Sequence, residues 1–232
     1  MDVLTNVLGF MPQLLKATPL TLMLTAIAAI AGLTMGTMIA LAMLSRNWLL
    51  VWPSQLFTFM FRGTPLLVQL YLIYYGLGQI LPGTWVRHSF LWPYLRDGLW
   101  YAVVALSLNQ AAYNAVVIKG AIASVPKGQI EAALSIGMRR WQVLRRITLP
   151  QALRNCLPVL TGDLIIILKS TSLASTITIM ELMGTARMLQ RQSLMVFEPL
   201  IAAGIIYFVV VFILTRIMNL VERRLTPYRS GV

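Results

Sequence analysis

Asp163 and Ser170 stand seven residues apart in one long apolar stretch, and Asn109 and Tyr113 stand four apart in another. Two helical turns take about 7.2 residues, so each pair shares a helix face. A carboxylate inside a membrane-spanning helix costs about 2.5–3.5 kcal/mol on insertion scales, so Asp163 has to face a bundle interior or water. It fits contact with a cationic solute, where low dielectric strengthens charge pairing. It also fits a structural ion pair with Lys119, Lys169 or a residue of another chain. Asn109 and Tyr113 fit a cavity wall, and equally hydrogen bonding between helices, which needs no solute. No His-Glu-x-x-His and no serine–base pair occurs, so these residues do not read as an intramembrane enzyme. No Gly-x4-Gly-Lys-Ser/Thr phosphate loop occurs either.

These residues need membrane helices to position them. The chain has 232 residues, 58% apolar and 11% charged, against about 45–50% and 25% in soluble domains. Residues 17–45, 63–86 and 98–118 contain no charge. Each run meets the roughly 20 residues needed to cross a hydrocarbon core. Two weaker runs follow near 157–180, interrupted by Asp163 and Lys169, and 199–220. Backbone in lipid must make all its hydrogen bonds internally, so the expectation is an all-α membrane protein. Five spans are placed near 17–45, 54–80, 98–122, 152–176 and 196–222, with 81–97 as an outer interfacial loop rich in Trp, Tyr and Pro. Segment 177–195 reads as a short re-entrant or gate helix, or as an outer loop. Gly32 and Gly36 have the spacing of a close helix contact. The single cysteine, Cys156, allows no internal disulfide and no metal cluster.

The net charge of +12 does not point to nucleic acid, because the basic residues gather at the ends of apolar runs. Segment 119–154 holds Lys119, Lys127, Arg139, Arg140, Arg145, Arg146 and Arg154, and the C-terminus holds Arg216, Arg223, Arg224 and Arg229. The positive-inside rule then places the N-terminus outside and the C-terminus and loop 119–154 in the cytoplasm. Within that loop Pro126 can start a helix, Glu131 falls in its first turn, and Ile130 and Leu134 share a side. Gly137 permits the positive φ that ends such a helix. Met138 to Ile147 reads as a second helix with four arginines, and Pro150 starts the next span. Charge and periodicity alone also fit a basic helix lying on anionic lipid.

Glu131-Ala132-Ala133, Gly137 four residues on, then Ile147-Thr148-Leu149-Pro150 resemble the EAA loop of ABC importer membrane subunits. Phe61 to Gln69 with Tyr71 to Gly76, Gly120 to Gln129, and Lys169 to Ala174 resemble the polar amino acid importers. Phe90 to Pro93, Ile179 to Gly184 and Val221 to Arg224 resemble the histidine and arginine/lysine/ornithine branch, and within it the "M"-type subunit. The resemblance implies one domain over 1–232 with the type I importer permease fold, in the bacterial inner membrane. It makes 126–150 a coupling loop, with Glu131, Ala132, Ala133 and Gly137 meeting a separate ATPase dimer that binds ATP and Mg. It implies a homologous membrane subunit and a periplasmic substrate-binding protein as further partners, with membrane lipid around them.

The same resemblance puts Asp163 and Ser170 on the substrate cavity, with Asn109 and Tyr113 near it. The chain departs from the family there: Gly162-Asp163 replaces Asn-Glu, Ser170 replaces a frequent Asp, and Val116 a frequent Glu. The implied cargo is a polar, basic amino acid moved by alternating access. Opine, glutamine or cystine transport on the same scaffold, or a scaffold subunit that no longer transports, are the alternatives. Arg62-Gly63-Thr64-Pro65 interrupts the second span, as discontinuous helices at transport sites do. A capping kink with Arg62 snorkelling to the interface fits as well.

Overall fold

A computed structural model describes residues 3–76, 88, 90, 92 and 96–225. Among the described residues all regular structure is helical. Helix α1 (Val3–Met43) is joined by a short turn to α2 (Trp48–Gly63), whose Leu49 amide donates to the capping Asn47 side chain at 3.0 Å. Helix α3 (Leu66–Tyr71) follows and ends in a π turn, Leu72–Gly76. Asp97 caps α4 (Gly98–Ala123) in the same way, accepting from the Leu99 amide at 3.0 Å. Two short helices, α5 (Lys127–Ser135) and α6 (Arg140–Val143), lead through a π turn at Leu144–Thr148 into α7 (Leu149–Ser170). A 3₁₀ segment, Thr171–Ile177, then α8 (Leu182–Ser193) and α9 (Glu198–Leu225) complete the chain.

Val3–Met43, Gly98–Ala123, Arg140–Ile177 and Glu198–Arg224 are each long and apolar enough to cross a membrane. Trp48–Gly63 with Leu66–Gly76, bent by 107°, makes a fifth if the pair counts as one span. The expected spans are therefore present, with two corrections. The first helix begins at Val3 and not near residue 17, running through Pro12 and Pro19. At about 1.5 Å per residue it is roughly 60 Å long, twice the hydrocarbon thickness. The fourth is helical from Arg140, so the arginine-rich piece expected as a separate helix feeds the span directly. Most of the expected outer loop 81–97 lies outside the described residues.

Helix α4 is the central element, and its most extensive partner is α1. The contact is close because Gly32 and Gly36 lack side chains: a Cβ on either would stand 2.6 Å or 2.7 Å from the Cβ of Gln110 or Asn114. Leu24, Leu70, Tyr101, Ala102 and Ile177 pack on one side of this pair. Leu14, Leu182, Ala186, Ala202 and Ile206 tie α1, α8 and α9 together. Ala121, Val125, Ala152 and Cys156 join the foot of α4 to α7. On α9 large apolar side chains such as Phe208 and Phe212 stay exposed, as a lipid-facing helix requires.

Candidate functional site

The four residues expected to line a pathway are brought together. A cavity of about 480 Å³ lies between the break of α2 and α3, helix α4 and helix α7. Its walls include Asn109, Tyr113, Asp163 and Ser170, and also Arg62, one of whose two readings was a place in the pathway, and Gln110, which carries no such signal in the sequence. The volume falls within the roughly 300–1,000 Å³ of small-molecule sites. Asp163 is half-buried and its Oδ2 is shielded from solvent, yet it has no hydrogen-bond partner. The structural ion pair with Lys119 or Lys169 does not form. A shielded, unpaired carboxylate oxygen is costly unless a ligand or another chain satisfies it.

Ser170 donates to the Ile166 carbonyl at 2.9 Å, so what it offers the cavity is its oxygen lone pairs. Asn109 takes part in two contacts at once. It lines the cavity, and its Nδ2 donates to Gln69 Oε1 on α3 at 2.9 Å. Tyr113 faces the cavity with Arg62 over its ring, the guanidinium carbon 5.4 Å from the centroid. The kink at Gly63–Pro65 is thus part of the cavity wall, and Arg62 is turned to the aromatic face of α4. Val116 borders a neighbouring hollow shared with Arg62 and Gly63.

The loop residues form a second surface. Pro126 precedes α5, which starts at Lys127, so Glu131 lies in the second helical turn and not the first. Glu131 and Ala132 are exposed while Ala133 is buried against the chain's own core, so only one of the two alanines is offered to a partner. Ile130 packs toward Val125 and Cys156, whereas Leu134 turns outward. Gly137 has φ +86°, with its amide bonded to Leu134 O at 3.0 Å and the Met138 amide to Ala133 O at 3.1 Å. This is the Schellman termination that Gly137 predicted. Ile136, 80% exposed, lines an open groove with Ala132, Met138, Arg146 and Arg154, and Trp141 on α6 is 64% exposed. Large apolar side chains beside arginines on a polar loop suit a protein partner.

Two buried polar residues that hold this framework had no role assigned from the sequence. Gln69 holds the α2–α3 break, and Glu181 holds α8. Glu181 is fully buried. Its carboxylate accepts from the Gly184 amide at 2.8 Å, the Met183 amide at 3.0 Å, the Tyr207 hydroxyl at 3.0 Å and the Thr21 hydroxyl at 3.4 Å. The readable signal was an acidic residue directly before a helix.

The family described as binding-protein-dependent transport system inner membrane component matches residues 30–227. The octopine transport system permease protein OccM of Rhizobium radiobacter is 48% identical over 94% of this chain and 88% of its own length. The nopaline transport system permease protein NocM of Agrobacterium fabrum is 41% identical over 94% and 89%. The arginine ABC transporter permease protein ArtM of Escherichia coli is 39% identical over 93% and 95%. Among solved structures, an amino acid ABC transporter crystallised with histidines superposes with TM-score 0.83 at 34% identity, covering 97% of this chain and 99% of that one. The MetNI methionine ABC transporter shares the fold at TM-score 0.76 and 19% identity, over 94% and 98%.

Proposed function

This chain belongs to the family of binding-protein-dependent transport system inner membrane components, and we propose that it is the permease subunit of an ATP-driven importer whose cargo is a basic amino acid or an opine built on one. The observation behind this reading is the cavity in which Asp163 presents an unpartnered, shielded carboxylate oxygen. Such a group favours a guanidinium, ammonium or imidazolium, and Asn109, Tyr113 and Ser170 beside it add neutral hydrogen-bonding capacity. The octopine, nopaline and arginine permeases support the same cargo chemistry, because octopine is itself a derivative of arginine.

The chain supplies the path and no covalent chemistry. With the N-terminus outside and the C-terminus inside, as the arginine distribution favours, the 126–150 loop faces the cytoplasm. There Glu131, Ala132 and the turn at Gly137 meet an ATPase dimer that holds ATP and Mg. A homologous membrane subunit closes the open side of the cavity, and a periplasmic binding protein delivers cargo. Closure of the ATPase dimer pushes the loop, which is continuous with α7 through Arg140, and so tilts the helix bearing Asp163. Access alternates from one side to the other.

The test is reconstitution in nanodiscs with the cognate ATPase, sister subunit and binding protein. ATPase stimulation is then read across histidine, arginine, lysine, ornithine, octopine and glutamine. Stimulation by cationic cargo, lost in Asp163→Asn, is the expected result. Stimulation only by glutamine would overturn the cargo, and none by any solute would overturn transport.

A further inference from the structure

We infer that Arg62 is the carboxylate-binding residue of the pathway and that Gln69 is the positioning residue that aims it; the inference rests on the cavity's being the cargo site.

Pro65 has no amide hydrogen, so the Phe61 carbonyl, four residues earlier, loses its helical donor. Gln69 replaces it. Its Nε2 lies 2.7 Å from Phe61 O, 3.0 Å from Thr64 O and 2.8 Å from Thr64 Oγ1 and shares two hydrogens among them, while its Oε1 accepts from Asn109. Thr64 in turn donates to Met60 O at 2.8 Å. The last turn of α2 is therefore bonded to α4 through a single buried side chain. Arg62 lies within that turn. Its guanidinium is held over Tyr113, one α4 turn beyond Asn109, on a wall of the cavity that Asp163 also lines.

Arg62 and Asp163 do not pair with each other, and neither meets an opposite charge among the described residues. Two unpaired poles of opposite sign on one cavity match a ligand bearing a cation and a carboxylate at separate ends. Arginine has one of each besides its amine; octopine has a guanidinium and two carboxylates. The guanidinium fork suits a carboxylate bidentately. It can leave the ring of Tyr113 for one, because an exposed cation–π contact is weak beside a charge-assisted bidentate pair.

Agmatine, which is arginine without its carboxylate, separates the two poles. The full complex is assembled in nanodiscs without the binding protein, so that the latter's selectivity does not enter. Ligand-observed NMR titration then reads arginine, octopine and agmatine directly. Arg62→Gln should weaken arginine and octopine roughly 10- to 100-fold, the range of one charge-assisted contact, and move agmatine less than about twofold. Arg62→Lys should recover part of the loss. Gln69→Leu should weaken arginine in the same direction but less, since it misplaces the cation without removing it. Asp163→Asn should weaken all three ligands. Equal effects of Arg62→Gln on arginine and agmatine, or none on either, would overturn the role of Arg62. If Asp163→Asn still weakened all three, the cargo site itself would stand. If Asp163→Asn changed none, or wild-type protein bound none of the three, the cargo site would fall and this inference with it.

Discussion

Two of the places where the chain leaves regular α-helix are repaired with opposite chemistry. Between α2 and α3, Pro65 strands carbonyl oxygens, and the repair is an amide donor, Gln69. Before α8, the new helix opens with unpaired amides, and the repair is an acceptor, Glu181. The type of orphaned backbone group selects the type of buried side chain. The two repairs also differ in what surrounds them. Glu181 is sealed between α1 and α9 by the Thr21 and Tyr207 hydroxyls, whereas the residues around Gln69, Gly63 and Thr64, line the cavity. One break fixes the bundle and the other shapes a site.

The sealed break should be the harder to lose. Glu181→Ala strands two amides and two hydroxyls away from water, and should cost about 3 kcal/mol or more; thermal unfolding in detergent should show a markedly lower midpoint or no folded fraction. Gly184→Ala should act similarly, since an added Cβ would collide with the Ile179 carbonyl oxygen. Gln69→Leu should cost less, about 1–2 kcal/mol, because water entering the cavity can reach the freed carbonyls. An unfolding midpoint for Gln69→Leu below that of Glu181→Ala would reverse the ranking and the comparison with it.

The turn at Gly137 is a third irregular point, and it has no buried clasp. A Cβ there meets nothing within 4 Å, so Gly137→Ala carries only the cost of its φ of +86°, about 1–2 kcal/mol and local. Uptake should nevertheless fall strongly, and Glu131→Lys, at an exposed position, should abolish it with no change in unfolding. Normal uptake by both variants would remove the loop from the coupling path. The smallest effect is expected of Ile136→Cys. It should leave stability unaltered and react with an impermeant maleimide in inside-out vesicles but not in intact cells. The opposite labelling pattern would invert the assigned topology.

The spans were legible because charge-free runs of sufficient length have few alternatives to a membrane helix. The start of α1 was not legible, because Pro12, Lys16 and Pro19 look like an end. In a long helix, however, each proline removes one bond, and Lys16 stays exposed. Asp163 was legible through the cost of its charge, and Gly137 through the φ that only glycine adopts freely. The Gly32–Gly36 contact was legible as a spacing, though its partner, the Gln110–Asn114 face, was not. Glu181 carried a local signal, an acidic residue directly before a helix, whereas Gln69 was hidden because it answers a backbone defect elsewhere. Gln69 becomes visible only when Pro65 is matched to the Phe61 carbonyl four residues before it. Arg62 admitted both a snorkelling cap and a place in the pathway, and only the bend of 107° decides which way it points.

The glycine contact between α1 and α4 also has a mechanical meaning. Gln110 and Asn114 sit in notches at Gly32 and Gly36 like teeth in a rack. If α1 slid by one turn, Ala28 would face Gln110 or Ala40 would face Asn114, and a methyl group does not fit against either. The two longest-contacting helices are therefore keyed against shear and travel as one stiff plank. In the rocking motion proposed above, the displacement would be taken up by the bent joint at Gly63–Pro65 and the π turn at Leu144–Thr148, where the chain is already out of regular register.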